Sequence, residues 1–386
     1  MTEWIECTLD KLGEIVGGAT PSTKCEDYYG GSIPWITPKD LSSFKGRYIT
    51  SGERNITEKG LASCSAQMMP KDAVLFTSRA PIGYVAIASQ SVCTNQGFKS
   101  IVVNEKADPL FVYYLLKYNK DAIEAMGSGT TFKEVSGKTM RAVKVRIPLD
   151  VSYQKRIAAV LDSLDTKIEN NERINDNLLA QAQTLYKQFF PYSVQDDLPD
   201  GWRIGTVGEI IEIHDSKRIP LSGADRAKME KKIYPYYGAA SLMDFVDNYI
   251  FDGKYLLLGE DGTVVDDAGY PILQYVWGQF WVNNHAHILT GRLGYDVESL
   301  YMLFKQTPVK SIVTGAVQPK ISQANLRSVQ VVIPPEHNLR EYNDLVEPLF
   351  SLFRANEEEC KTFTALRDML LPKLMSGEID VSAVQL

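Results

Sequence analysis

The feature that most constrains the fold of this chain is an internal repeat. Shifted by 186 positions, the segment from Gly129 to Pro148 matches the segment from Gly315 to Pro334 at seven of twenty residues. A shift of 198 positions places Trp4 on Trp202. The matches are collinear but their offsets drift, as expected when two copies of one unit keep their scaffold while their loops diverge. The chain is therefore predicted to contain two similar units.

Each copy begins with a part of α+β class. Val74 to Phe76 and Leu256 to Leu258 are short apolar runs that predict buried strands, and the alternation around Val145 predicts a strand with one solvated face. Glycine and proline interrupt the rest frequently, which favours small antiparallel or mixed sheets joined by many loops. This part ends at Pro148 in the first copy and at Pro334 in the second.

A long helix is predicted after each α+β part. From Ile157 onward, the seam positions recur at alternating spacings of four and three residues, with Asp150 or Ser152 as a cap and Pro191 as the end. We expect the two helices to pair antiparallel as a coiled coil and to separate the two α+β parts, with Asn171 and Asn356 fixing the register. The alternative, that each helix packs only on its own domain, stays open. The predicted seam comprises Ile157, Leu161, Leu164, Ile168, Asn171, Leu178, Leu185, Val346, Leu349, Phe353, Asn356, Phe363 and Leu370.

Charge is distributed unevenly along the 386 residues, whose formal net charge is −7. Residues 1–150 and 201–335 are nearly neutral and contain local basic stretches, so a polyanionic partner is compatible with the acidic total. Five cysteines without a Cys-x-x-Cys pair indicate neither a disulfide framework nor a zinc cluster. No apolar run approaches the ~20 residues of a membrane span, and the start resembles no signal peptide, so a cytoplasmic location is expected.

The residues that resemble catalytic or metal-binding motifs do not have the spacing that those motifs require. Gly137-Lys138-Thr139 lacks the glycine that a phosphate loop requires five positions before Gly137, where Phe132 stands. His285 and His287 have no carboxylate or cysteine near them in sequence that completes a metal set, which favours structural histidines. We therefore predict no catalytic residue and no metal site on this chain.

Basic, hydroxyl and aromatic residues in the loops are the better candidates for a functional surface. Lysine and hydroxyl groups suit phosphates, whereas arginine can also contact base edges. The candidate DNA contacts are Thr20, Ser22, Lys24, Lys39, Lys45, Arg47, Arg79, Thr130, Thr131, Lys133, Lys138, Lys217, Arg218, Lys231, Lys232, Tyr236, Tyr237 and Lys320.

Several motifs resemble those of one family. Ile33-Pro34-Trp35-Ile36, Thr94-Asn95-Gln96-Gly97-Phe98 and the segment from Gly278 to His287 look like parts of target recognition domains, while Gln154 to Ile157 and Leu366 to Ile379 are similar to the family's helical regions. In this order, and over essentially the full length, the chain resembles the specificity subunits of type I restriction-modification systems.

The resemblance implies recognition domains at residues 1–150 and 196–335, each contacting one half of a bipartite DNA sequence, and spacer helices at 151–195 and 336–386. It also implies that the helix pair docks two methyltransferase subunits and, indirectly, restriction subunits. S-adenosylmethionine, ATP and Mg²⁺ are then expected on those partners, with no cofactor on this chain. Two other functions stay open at this stage: a coiled-coil scaffold that binds proteins rather than DNA, and an autonomous nuclease or methyltransferase.

Overall fold

The computed structural model describes residues 3–79, 81–129, 133–315 and 317–385. These residues form two units, the first built from the chain up to residue 173 and from residue 357 onward, the second from residues 174–356. Each unit combines helices with small sheets, which confirms the α+β prediction. Within the described ranges, no helix is both long and apolar enough to cross a membrane.

The first unit carries three sheets. They have the strand orders β1-β10, β2-β9-β6-β7-β4 and β5-β3-β8. The strands are β1 (Trp4–Thr8), β2 (Gly13–Gly17), β3 (Tyr29–Ile36), β4 (Tyr48–Ile49), β5 (Asn55–Ile56), β6 (Val74–Ser78), β7 (Ile82–Ala88), β8 (Cys93–Thr94), β9 (Lys99–Val103) and β10 (Lys144–Pro148). The helices are α1 (Pro38–Ser42), α2 (Glu58–Ala62), α3 (Pro109–Tyr118), α4 (Lys120–Ala125), α5 (Gly137–Ala142) and the first part of α6 (Val151–Phe189).

The second unit repeats this plan with strand orders β11-β20, β12-β19-β16-β17 and β14-β13-β18-β15. Its strands are β11 (Arg203–Thr206), β12 (Ile211–Ile213), β13 (Tyr234–Tyr237), β14 (Leu242–Val246), β15 (Phe251–Asp252), β16 (Tyr255–Gly259), β17 (Leu273–Val276), β18 (Gln279–Val282), β19 (Ala286–Gly291) and β20 (Gln330–Ile333). Its helices are the last part of α6, α7 (Val207–Ile210), α8 (Gly223–Ala227), α9 (Val297–Phe304), α10 (Gln323–Ser328) and the first part of α11 (Glu336–Ser376).

Local signals for these elements are themselves repeated. Asp108 caps α3 by accepting a hydrogen bond from a backbone N–H three residues later, and Asp296, at the equivalent position, caps α9 in the same way. Ser136 and Ser322 likewise cap α5 and α10. Because the caps and strand pairings recur in the same order, the internal repeat seen in the sequence corresponds to a repeated fold.

Residues of the long helices belong to the core of each unit. In the first unit, Ile157 and Leu161 of α6 are fully buried together with Leu374 and Met375 of α11. In the second, buried residues of α6 and α11 pack with the sheet residues in one cluster, with Tyr342 fully buried. The alternative that each helix packs only on its own domain is therefore wrong, because the helices pack on each other as well as on the α+β parts.

Within each unit the two helices run antiparallel. In the first unit, Arg367 on α11 donates to Asp165 on α6 at 2.7 Å, and Cys360 contacts the carbonyl of Ile168. In the second, Tyr342 donates to the carbonyl of Ala182 at 3.2 Å. The partner numbers fall on one helix as they rise on the other, which is the antiparallel arrangement expected from the seam.

The predicted seam residues all lie on buried or half-buried faces of these helices. Ile157, Leu161, Leu164, Leu178, Val346 and Asn356 are buried, whereas Ile168, Asn171, Leu185, Leu349, Phe353, Phe363 and Leu370 are half-buried.

Asparagines in the seam have polar partners across the helix pair. Asn356 donates to Asn175 at 2.9 Å, and Asn175 donates to the carbonyl of Phe353 at 3.3 Å, all within the second unit. In the first unit, Asn171 donates to Glu359 at 2.8 Å. Buried polar groups of this kind are satisfied in one alignment of the helices only, so they specify the register.

Candidate nucleic-acid interface

A loop after β2 brings together several candidates of the first unit. Ser22 and Lys24 are exposed, and Thr20 is half-buried and donates to the side chain of the exposed Gln96. The loop is attached to β3, where the Trp35 indole N–H donates to the carbonyl of Ala19 at 3.0 Å. Gln96 belongs with these candidates, since a glutamine amide can pair with an adenine edge.

The Asn95-Gln96-Gly97 turn is part of the family resemblance, but Gln96 is not among the DNA contacts predicted from the sequence. The sequence does contain a signal for it, because this polar turn directly follows a short apolar strand.

A second basic cluster surrounds Glu134 in the first unit. Arg79 and Lys99 lie 3.7 Å and 3.6 Å from the Glu134 carboxylate, and the backbone of Arg79 bridges that of Glu134. Lys133 and Lys138 are exposed on either side. Two cations contact this carboxylate and two more lie exposed nearby in the sequence, so basic side chains outnumber the acidic one and suit phosphate oxygens. The neighbouring candidates Thr130 and Thr131 lie outside the described residues.

Lys39 and Lys45 lie apart from these two clusters. Lys39 is 2.8 Å from Glu53, and this hydrogen bond raises the pKa of the lysine. Lys45 is 3.7 Å from Glu172 on α6. Both ammonium groups remain largely exposed, so both stay candidates for phosphate contacts.

The prediction of Arg47 as a DNA contact is wrong, because its side chain points into the first unit and is only 7% exposed. Its guanidinium lies 3.1 Å from Asp162 and 3.3 Å from Glu169 on α6 and donates to Thr166 at 2.9 Å. Burial lowers the pKa of Arg47, but these carboxylates outweigh burial and raise it. Arg47 therefore ties a loop to the long helix and is not available to a phosphate.

Arg218 in the second unit is also structural rather than free. Its guanidinium is 2.5 Å from Glu260 and 3.4 Å from Asp215, and it donates to the carbonyl of Ala286 at 2.8 Å. Lys320 reaches the same Glu260 at 3.2 Å while remaining half exposed. The neighbouring Lys217 is exposed. Of these three candidates, Lys217 and Lys320 keep an ammonium group that DNA could reach.

His287 lies at the centre of this charged cluster and is fully buried. Its Nδ1 is 2.6 Å from Asp215, and its Nε2 is 2.8 Å from the carbonyl oxygen of Ile321. Both partners are oxygen atoms, so each ring nitrogen has a hydrogen-bonding partner in the core. Although burial raises it, the hydrogen bond from His287 helps to hold the pKa of Asp215 below its ordinary value, and Arg218 does the same for Glu260.

Two carboxylates that are distant from His287 in sequence lie beside it in the fold. One ligand atom each from Asp215, Glu260 and His287 lies within 4.8 Å of the others, a spacing that a metal ion could use. Arg218 and Lys320 already supply the positive charge at this point. The arrangement is accordingly that of a buried ion-pair network.

The prediction of Tyr236 as a DNA contact is also wrong, as it is for Arg47 and Arg218. Its ring is buried, and its hydroxyl accepts a hydrogen bond from the backbone N–H of Leu221 at 3.2 Å. Arg226 stacks on the ring at 4.9 Å. Tyr237 next to it is half-buried and packs edge-on against Phe280. Both tyrosines hold the small sheet together, and Tyr236 has no surface to offer to DNA.

A basic turn precedes β13. The backbone N–H groups of Glu230, Lys231 and Lys232 all donate to Asp247, at 3.1, 2.8 and 2.7 Å. Lys232 adopts a left-handed φ of 45°, which bends the turn around the carboxylate. The pKa of Asp247 is lowered chiefly by the hydrogen bond from Lys232. The side chains of Lys228, Lys231 and Lys232 are thereby left exposed on a turn of fixed geometry.

Comparisons with known proteins identify this scaffold. A family model described as the type I restriction modification DNA specificity domain matches residues 1–180 and again 199–359. The chain is 31% identical to the MjaIX type I restriction enzyme specificity subunit of Methanocaldococcus jannaschii over 98% of this chain and 94% of that protein. It is 24% identical to the EcoprrI specificity subunit of Escherichia coli over 86% of this chain and 83% of that protein.

The fold has a solved counterpart. The crystal structure of a type I restriction-modification S subunit from M. genitalium superposes with a TM-score of 0.62 at 18% identity, covering 97% of this chain and 96% of that one. The resemblance drawn from the sequence motifs is confirmed by the family match and by this shared fold.

Proposed function

This chain belongs to the type I restriction-modification DNA specificity family, and on that premise we propose that each of its two units binds one half of a bipartite DNA sequence. The units share helix caps and most of their strand order, with β2-β9-β6-β7 corresponding to β12-β19-β16-β17, but their loop sequences differ. A repeated scaffold with unlike loops binds two unlike half-sites, whereas two identical readers would select a palindrome.

The main support for this proposal is that equivalent strand pairs in the two units lie beside surfaces of different chemistry. β3 pairs parallel with β8 at Trp35 and Cys93, and β13 pairs parallel with β18 at Tyr236 and Trp281. In the first unit the adjoining loop offers Ser22 and Lys24, and in the second a turn offers lysines and apolar residues. Equivalent positions with different chemistry are what two different half-sites require.

The long helices are proposed to set the gap between half-sites and to dock two methyltransferase subunits. Residues 336–386 contain ten acidic and five basic side chains, and Glu358 and Glu359 are exposed on α11. Acidic helical surfaces repel DNA and suit a basic protein partner. Methyl transfer from S-adenosylmethionine, and ATP- and Mg²⁺-dependent cleavage where a restriction subunit is present, would reside on those partners in the cytoplasm.

The proposal is tested by coexpressing the chain with its methyltransferase subunit and mapping methylated adenines across the host genome. We expect one split motif with a fixed gap. Exchanging residues 196–335 for those of a relative should change one half of the motif and leave the other half and the gap unchanged. An assembled complex that neither methylates DNA nor binds it with a steep salt dependence would overturn the proposal.

A further inference from the structure

Exposed apolar side chains are concentrated in one part of the second unit. Of the twenty large apolar residues that are most exposed in the described chain, six lie between residues 219 and 249. Four of them form what we call the apolar ridge: Ile233, Leu242, Met243 and Phe245, which are 59%, 44%, 53% and 42% exposed. Single exposed apolar residues need no explanation, but a contiguous group marks an interaction surface.

The ridge is built on the antiparallel pair β13–β14, here called the ribbon, at one edge of the four-stranded sheet in which β13 also pairs with β18. β14 pairs with β13 on one side and forms the edge of its sheet, with no further strand beside it in the described part of the chain. Leu242 is paired with Tyr237 and Phe245 with Pro235, so Leu242 and Phe245 share one face of the ribbon. Met243 is the extra residue of a β-bulge and packs across Gly238.

Positive charge borders this ridge. Ile233 directly follows Lys231 and Lys232, whose backbone is held by Asp247 as described above. Arg226 and Lys232 both contact Asp244 on β14, at 2.9 Å and 3.7 Å. The charged turn is therefore attached to the same ribbon as the apolar side chains.

Among the described residues of the first unit, no such ridge lies at the equivalent place. There β3 pairs with β5, where Ile56 is fully buried, and Arg54 stacks over the ring of Tyr29 at 4.2 Å. The exposed apolar surface is thus not required by the shared scaffold. It is a property of the second unit alone among these two equivalent sheets.

We propose that the β13–β14 ribbon enters the major groove of the half-site bound by the second unit, where Leu242 and Phe245 contact thymine methyl groups while Lys231 contacts phosphates. The proposal rests on the proposed function above. The major groove admits paired β-strands, and β14 is the free edge strand of its sheet in the described chain, so this edge can approach the base pairs. The thymine methyl is the apolar feature that distinguishes base pairs there. DNA is favoured over a protein partner because lysines on the adjoining turn accompany the apolar residues, and basic residues with apolar contacts are the chemistry of a DNA groove.

The test uses the assembled complex of the full chain with its methyltransferase subunit, and duplexes that carry the methylation-derived motif. Each thymine in the half-site of the second unit is replaced by deoxyuridine, which removes only the C5 methyl group. Wild-type affinity, measured by fluorescence anisotropy at fixed salt, should fall about fourfold for each contacted methyl. The same replacement in the other half-site is the DNA control.

The double variant Leu242→Ala, Phe245→Ala should bind the normal duplex more weakly and lose its sensitivity to deoxyuridine in this half-site only. Ile204→Ala, which alters another 47% exposed apolar side chain of the same unit, is the matched control and should behave like wild type. Lys231→Ala should reduce the slope of log affinity against log salt by about one, without changing the methyl sensitivity.

Three results would overturn the proposal. The first is wild-type binding that is insensitive to every deoxyuridine in this half-site. The second is a half-site that contains no A·T pair. The third is a folded double variant that fails to assemble with the methyltransferase subunit, which would make the ridge a protein-docking surface. A wild type that is insensitive to deoxyuridine refutes the proposal even if the double variant does not fold. Failure of the proposed function itself looks different, since no split motif and no specific duplex would then exist.

Discussion

Replacement of Arg47 by methionine separates a structural role from a DNA-binding one. The substitution keeps most of the side-chain volume but removes the cation that Asp162 and Glu169 face. Breaking a buried ion pair costs about 3–5 kcal/mol, and an exposed pair about 0–1 kcal/mol. The two carboxylates are 32% and 35% exposed, so water relieves part of the loss. We expect the first unit to lose about 2 kcal/mol of unfolding free energy.

The pH dependence of this loss follows from the carboxylates. Burial raises the pKa of Asp162 and of Glu169 even with Arg47 present. Without Arg47 their pKa values in the folded state rise further, so the folded state takes up protons more readily than the unfolded state. The deficit of Arg47→Met should be largest at neutral pH and shrink as the pH falls towards the ordinary range of carboxyl groups.

Urea unfolding, with hydrogen exchange to locate the change in the first unit, measures this free energy. Lys45→Met is the matched control, because the Lys45 side chain is 78% exposed, and its stability should be unchanged. DNA binding by Arg47→Met should keep its salt dependence under conditions where the variant is folded. A variant of unchanged stability that binds DNA more weakly, with a reduced salt slope, would refute the placement of Arg47 as a structural residue.

Three further outcomes are expected. Asn356→Leu should lower the free energy of unfolding by about 1–2 kcal/mol because Asn175 loses a buried partner. The double variant Asn175→Leu, Asn356→Leu should be nearly as stable as wild type but form a mixture of helix registers, which cysteine crosslinking detects. The second unit should lose stability as the pH falls below the ordinary carboxyl range, since Asp215 and Glu260 have lowered pKa values and stabilise the fold only while ionised; Asp215→Asn should flatten this part of the pH–stability curve. Chelators should leave the unfolding temperature unchanged, because Arg218 rather than an ion pairs these carboxylates; a fall of several degrees would indicate a resident metal.

The parts of the fold that the sequence predicts well are those governed by local period. The four-and-three spacing from Ile157 predicts a helix ending near Pro191, and α6 runs from Val151 to Phe189. The short apolar runs predict β6 and β16. These signals are visible because helix and strand periods act between residues that are close in sequence.

The parts that the sequence does not predict depend on distant residues. A loop arginine looks the same whether it faces a phosphate or a helix, and Arg47 is turned inward by Thr166, 119 positions away. His287 meets Asp215 across 72 positions. The sequence does not predict the apolar ridge for a related reason: Leu242 and Phe245 resemble core residues, and only the sheet order shows that their strand is an edge.

The first unit is assembled from two separate stretches of chain, and this has a consequence during synthesis. Leu374, Met375 and Val381 complete its core, and Tyr153 donates to Asp380 at 3.0 Å. The second unit, in contrast, is one continuous stretch. On the ribosome, where folding ordinarily proceeds from the first domain made, the second unit can finish its core while the first still waits for residues 374–381. A nonsense mutation shortly after residue 356 would therefore spare the later-made unit and leave the earlier-made one incomplete.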